Sequence, residues 1–263
     1  MITSMANSKV KRLAALAQKA KARREEQCFV VEGIRMFREA PADWIREVYV
    51  SETFLRKYGR QALGSAPCEI LADAVFQKAS DTQTPQGILC VLSMPRYELA
   101  ACIAGRCTDT AKAPLYMLLE DLQDPGNVGT ILRAGEGAGI DGVIMTRQTA
   151  DPFNPKVIRA TMGSIYRVPF FVVDSLTASI DLLQEKGVAV YAAHLDDSVD
   201  YDVPDYTQPT AFLIGNEGNG LRQETAQRAA QYIKIPMAGQ VESLNAAMAS
   251  AILMYEAARQ RRL

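Results

Sequence analysis

The sequence predicts an α/β protein in which parallel sheets are covered by helices, in two successive sets. Three observations carry that expectation. Apolar runs of strand length alternate with helix-period segments along most of the chain, which is the pattern of strands joined by crossover helices. A stretch without clear periodicity, residues 94–113, interrupts the alternation. The 263 residues, 48% hydrophobic and 22% charged, suffice for one large domain or two smaller ones with a sizeable core.

The elements follow in order. A first helix is expected from Ser8 to Glu26, with Val10, Leu13, Ala17 and Ala20 on an apolar stripe and Arg12, Lys19 and Arg23 on another face. "CFVVE", "EVYV", "CEILA" and "GILCVLS" read as strands, separated by the helical "GIRMFREA", "SETFLRKYG" and "DAVFQKAS". Residues 95–113 are expected to be a linker with at most one short helix. The second set has strands in "LYMLLE", "GVIMT", "VPFFVV", "VAVYAA", "TAFLIG" and "YIKIP", and closes with a long apolar helix in "SLNAAMASAILMYEAARQRRL". The division is therefore 1–94, a linker 95–113, and 114–263.

Composition excludes several classes. The longest uncharged stretch, Thr82 to Pro95, has 14 residues and two prolines, short of the roughly 20 apolar residues of a membrane span. "MITSMANSKVKRL" has no apolar core of a secretory signal. Cys28, Cys68, Cys90, Cys102 and Cys107 show neither metal spacing nor a disulfide framework, so no metal and a cytoplasmic location are expected. The net charge of −1 argues against a uniformly basic nucleic-acid binder. Its distribution is uneven: residues 1–38 hold nine Lys or Arg against three acids, a surplus of six that leaves a deficit of seven elsewhere. Such an arm suits a polyanion, and a solvated helix face would look the same on charge alone.

Parallel α/β domains bind ligands beyond the carboxyl ends of their strands, and three stretches fall there. "DPGNVGTILRAGEGAGIDG", residues 124–142, places five glycines in a helical pattern around Arg133, although each costs about 1 kcal/mol relative to alanine. Asn127 reads as the N-cap. Gly129 and Gly137, four residues either side, leave the arginine's face bare for another backbone to approach. A surface Arg133–Glu136 pair is the plainer alternative. "GEGAG" ends a helix instead of opening one, so a dinucleotide site is not indicated. "AFLIGNEGNGL" runs a buried strand into Gly215, Glu217, Gly218 and Gly220, a loop whose backbone could cradle a ligand or simply turn tightly. "IKIPMAGQVESLNAAMASAILMY" puts Ser243, a candidate N-cap, and Asn245 at the mouth of a helix apolar on nearly every side, which calls for another subunit as cover. His194, the only histidine, ends a strand and reads as structural.

Taken together, these stretches resemble the three signature motifs of the SpoU (TrmH-like) branch of the SPOUT RNA methyltransferases. Asn127, Gly129 and Arg133 match the first, "GNEGNGL" the second and "IPMAGQVESLNAAMASAI" the third; "ITSMANSKVKRLAAL", "FVVEGIRMFREA" and "TQTPQGIL" look like that family's substrate-binding domain. The resemblance implies methyl transfer from S-adenosylmethionine to a ribose 2′-hydroxyl of RNA, with the basic two-domain layout leaning toward ribosomal RNA. It implies a deep trefoil knot in the C-terminal domain, which no pattern argument proposes, and a homodimer. By likeness, backbone around Ala193, Gly215, Ile235 and Leu244 holds the cofactor, while Asn127, Arg133, Glu217, Ser243 and Asn245 are the working polar residues. Arg133 is often cast as a base; a guanidinium stays charged in proteins, so a positioning and charge-stabilising role suits it better. A tRNA ribose methyltransferase, a base methyltransferase and a non-catalytic RNA-binding or assembly factor are the alternatives.

Overall fold

The computed structural model describes residues 1–106 and 112–262, without the side chain of Arg106. Cys107 and part of the expected linker lie outside the described residues. Two compact units are present: residues Met1–Arg96 with Phe153–Tyr166, and residues Tyr97–Pro152 with Arg167–Leu263.

In the first unit, α1 (Ser8–Gln18), α2 (Ala20–Glu26), β1 (Cys28–Glu32), α3 (Ile34–Glu39), β2 (Ile45–Ser51), α4 (Glu52–Tyr58), β3 (Glu69–Leu71), α5 (Asp73–Ala79) and β4 (Ile88–Ser93) follow one another. The expected single N-terminal helix is broken. Lys19 is extended (φ −118°, ψ 113°), and Arg23, almost fully buried, donates to the carbonyls of Leu16 and Ala17 at 2.8 and 3.2 Å. Those carbonyls would otherwise be orphaned at the end of α1, so the guanidinium stabilises the break. The sheet, ordered β1-β4-β2-β3, is mixed and not parallel throughout: β4 runs antiparallel to β1 and β2, and only β2 and β3 are parallel. Strand direction is set by which edge a connection reaches, and alternation alone does not encode it. Val10, Leu13 and Leu16 of α1 pack with Val75 and Phe76 of α5 on Tyr49 and Leu71. Each such burial is worth roughly 1.5–3 kcal/mol, against about 0–1 for an exposed ion pair, so the stripe docks α1.

The second unit holds α6 (Leu99–Ala101), β5 (Leu115–Leu119), α7 (Pro125–Ala138) and β6 (Gly142–Thr146). A short helix, α8 (Pro155–Thr161), belongs by its contacts to the first unit. Then come β7 (Phe170–Val173), α9 (Leu176–Glu185), β8 (Ala189–Ala193), β9 (Val199–Asp200), β10 (Thr210–Ile214), α10 (Gln223–Ala226), β11 (Gln231–Lys234) and α11 (Ala246–Gln260). The sheet, ordered β7-β6-β5-β10-β8-β11-β9, is parallel at every pairing. All five residues of β5, β6 and β10 are buried, as expected of strands covered on both faces. Residues 97–106, read from sequence as linker, are built into this unit: Tyr97 meets Phe170 and Phe171 edge-on at 5.7 and 6.1 Å, and Cys102 is fully buried in the core.

Candidate active site

Because every strand of the larger sheet points the same way, the loops after β5, β8, β10 and β11 converge at one edge. There a cavity of about 710 Å³ is lined by Ala193, Gly215, Ile235 and Leu244, the four residues expected to hold the cofactor, and also by Glu217, Ser243 and Asn245. Asn127 stands behind its rim. Its Nδ2 donates to Glu217 Oε1 at 2.9 Å, and its Oδ1 accepts from Asn245 Nδ2 at 3.0 Å. One amide from each of two motifs and a carboxylate from the third are thus joined, across 90 and 118 residues of chain.

Local sequence places each of these groups. Asp124 is the N-cap of α7, accepting from Gly126 N at 2.7 Å, and Pro125 suits the first turn. Asn127, expected as the cap, sits inside that turn and so has its side chain free for the site. At α11 the cap is Asn245, whose Oδ1 accepts from Ala247 N and Met248 N at 2.9 and 3.3 Å. Ser243 is not the cap; it is exposed at the cavity mouth and makes no hydrogen bond among the described residues. Burial works against the Glu217 charge, but donors at Gln123 N (3.0 Å), Asn127 Nδ2 and Asp124 N (3.2 Å) outweigh it and hold the carboxyl below its ordinary range. With its lone pairs occupied in this way, Glu217 is an organiser of the loop and a poor proton acceptor.

Arg133 lies elsewhere. It is exposed on α7, does not line the cavity, and makes no hydrogen bond or ion pair among the described residues. The alternative reading, a pair with Glu136, does not form, since Glu136 is bound by Arg167. Two of the glycines around it also have close neighbours of their own within the fold. A Cβ on Gly135 would stand 2.3 Å from Ile140 Cδ1 and 3.5 Å from Met254 Sδ, and one on Gly137 2.6 Å from the Tyr255 hydroxyl. Gly139, at φ +77°, closes the helix in the left-handed region. They let α7 lie against α11 and stop. Gly215 is likewise required by the loop itself: a Cβ there would meet Gly220 C at 2.3 Å and Leu221 N at 2.4 Å. His194 stacks on Tyr232 at 4.8 Å beside the cavity, with its Nδ1 3.2 Å from Asp196 N.

Sequence reading passed over the support behind the second motif. Asn216 Nδ2 donates to Asp121 O at 2.8 Å, while its Oδ1 accepts from Gly218 N and Asn219 N at 3.0 Å. The buried Glu120 accepts from Arg222 N at 2.7 Å and Thr225 Oγ1 at 2.5 Å. An acidic pair directly after an all-apolar strand was the available signal.

Residues 114–255, the whole span of this cavity's walls, match the SpoU rRNA Methylase family. The chain belongs to that family. Residues 7–90 match the MRM3-like substrate binding domain. Among relatives of this SpoU methylase, RlmP of Bacillus subtilis, named a 23S rRNA (guanosine(2553)-2′-O)-methyltransferase, is 33% identical over 256 residues, 97% of each chain. The AdoMet-bound rRNA methyltransferase from Sinorhizobium meliloti superposes with a TM-score of 0.85 at 31% identity, over 98% of this chain and 97% of that one. The SpoU methyltransferase AviRb from Streptomyces viridochromogenes, in complex with AdoMet, gives 0.86 at 28% identity, over 97% and 98%.

The cavity of this SpoU methylase suits such a cofactor on its own evidence. It lies within the usual range of ligand sites, about 300–1,000 Å³. Apolar walls at Ile214, Ile233 and Leu253 meet three carboxylates, of Asp196, Glu217 and Glu242, against the ammonium of Lys234, an acidic surplus that suits a cationic sulfonium.

Proposed function

We propose that this chain transfers a methyl group from S-adenosylmethionine to a ribose 2′-hydroxyl of ribosomal RNA. The observation that carries the reading is the hydrogen-bonded series Asn245–Asn127–Glu217 at the rim of a cavity formed by Ala193, Gly215, Ile235 and Leu244. Bound there, S-adenosylmethionine supplies a methyl already activated by its sulfonium charge. The chain's own work is to hold a hydroxyl in line and stabilise the charge that develops as its proton leaves. Asn127 and Asn245 fix the rim, Ser243 offers a free hydroxyl at the mouth, and Arg133 supplies a guanidinium with nothing among the described residues to neutralise it.

Arg133 reaches such a site through a homodimer. Supporting this, Met248 and Tyr255 of α11 are 52% and 47% exposed, and the Tyr255 hydroxyl lies over Gly137, four residues from Arg133. A second copy laid on α7 and α11 covers the apolar surface and brings Arg133 to an adjacent cavity. A trefoil knot accords with the way the C-terminus is enclosed. Arg261 donates to the carbonyls of Ala113, Pro114, Tyr206 and Gln208, and Gln260 bonds Pro204 and Tyr206 of the loop between β9 and β10. We assign residues 1–94 to RNA binding and residues 114–263 to catalysis, with the cytoplasm as the site of action.

The test is a tritiated-methyl assay on RNA from cells lacking the gene, with the label mapped. Label on a ribose of ribosomal RNA is the expected result. Label on tRNA, on a base, or on nothing overturns the reading in favour of the corresponding alternative.

A further inference from the structure

A second cavity, of about 450 Å³, adjoins the loop that walls the first. Asn216, Asn219, Gly220 and Leu221 line both. Glu217, which lines the first, accepts from the backbone of Gln123, which lines the second. The two cavities therefore share the loop at Asn216 and residues 219–221 as a common wall, and a hydrogen bond joins Glu217 of the first to Gln123 of the second.

The chemistry of the lining narrows what that group can be. Gln148 is exposed and its side-chain amide makes no hydrogen bond among the described residues; the side-chain amide of Asn219 is equally free. Gln123 Nε2 is committed to the carbonyls of Asp121 (3.0 Å) and Gln148 (2.9 Å), which leaves its Oε1 to accept. The cation in this lining, Arg222, is already neutralised by Asp121 and lies 3.6 Å from Glu120, so a phosphate finds no unpaired charge there. An apolar ligand would strand these amides. Mixed donors and acceptors beside a planar guanidinium suit the polar edge and face of an unstacked base.

The wall is also rigid. Asp121 holds a left-handed conformation (φ +55°), uncommon outside glycine. It is fixed by Thr146 Oγ1 at 2.7 Å and by Arg222, while buried Glu120 grips Arg222 N and Thr225. Enzymes that do chemistry on a base draw its nucleotide from the stack into a fitted pocket, and a rigid wall is what such a seat requires.

We propose that this second cavity seats the base of the nucleotide whose ribose is methylated, and that Gln148 and Asn219 read its edge. The inference rests on the methyltransferase reading above. Gln148 is the residue to change, because it lines only the second cavity and bonds nothing through its side chain. Transcripts spanning the mapped site, with each of the four bases at the methylated position, are assayed with wild type, Gln148→Ala and Gln148→Leu. Affinity for S-adenosylmethionine is measured alongside by calorimetry. Wild type is expected to favour one base. The variants should relax that preference and raise KM for RNA by roughly 5- to 100-fold, the usual worth of an amide–base contact, with cofactor affinity unchanged. Variants that keep the wild-type preference and KM, or a wild type that methylates all four transcripts equally, overturn the base seat and leave the methyltransferase reading standing. A wild type that labels no ribose in any RNA overturns both.

Discussion

Arg133 keeps its charge in the open while Glu136, three residues on, is taken by Arg167. An arginine that bonds nothing among the described residues contributes little to folding, so Arg133→Ala should leave the melting temperature and cofactor affinity nearly unchanged. If it stabilises transition-state charge, turnover should fall on the order of 100-fold or more. Calorimetric titration beside a methyl-transfer assay separates the two, and a wild-type rate would reduce Arg133 to a surface charge. Glu217 makes a different prediction. Its folded-state pKa is depressed below the ordinary 4.5, so its ionisation stabilises the fold above that value, and the contribution fades as pH falls through the lower one. Denaturant unfolding of wild type and Glu217→Gln should diverge at pH 6 and draw together as the pH is lowered beyond 4.5; a gap independent of pH would deny the carboxylate this role. Asn127 and Glu217 were legible in the sequence as candidates because amide and acid stood out beside glycines. Their bond to each other was not, since 90 residues intervene.

Single elements show why pattern reading found strands more readily than purposes. β1 and β6 fall on the residues read as "CFVVE" and "GVIMT", because an apolar run bounded by turns leaves little choice of ends. The two-residue β9 has no such signature. The glycines of α7 read as clearance for Arg133; Gly135 and Gly137 also give room to Ile140, Met254 and Tyr255, which belong to the helix's own end and to α11. A one-dimensional pattern shows that a side chain is missing but not which neighbour needs the space. The difference can be tested. Alanine at Gly137 meets only the tip of Tyr255, which can turn aside, and gains helix propensity; it should raise unfolding free energy by about 0.5–1 kcal/mol at fixed protein concentration. Alanine at Gly215 meets backbone at 2.3–2.5 Å, which cannot yield. It should weaken cofactor binding at least 10-fold, as read by calorimetry. Equal tolerance at both positions would contradict these neighbours.

For the molecule as a whole, light scattering at micromolar concentration should return about twice the 28.8 kDa of one chain, and a clean monomer would remove the shared site. The basic N-terminal surplus is smaller than its count suggests. Lys9, Arg12, Lys21 and Arg35 are held by acids, and Arg23 is buried. Lys11, Lys19, Arg24 and Arg38 make no ion pair among the described residues. Replacing those four with alanine should raise KM for RNA. It should also lower the salt dependence of binding by about one unit of slope for every phosphate that is no longer neutralised, with cofactor affinity intact. Unchanged salt dependence would move the RNA-binding face elsewhere. Folding itself carries a further consequence of the sheet order. β5 has β10 as its neighbour on one side, 95 residues later in the chain at Thr210↔Leu115. A ribosome adding about 5–20 residues per second needs roughly 5–20 s to make that partner. Throughout that interval the nascent chain carries "LYMLL" with one hydrogen-bonding edge open, the kind of template on which polypeptides aggregate. Synthesis speed, and the chaperones that meet the emerging chain, thereby bear directly on how much enzyme a cell obtains from each message.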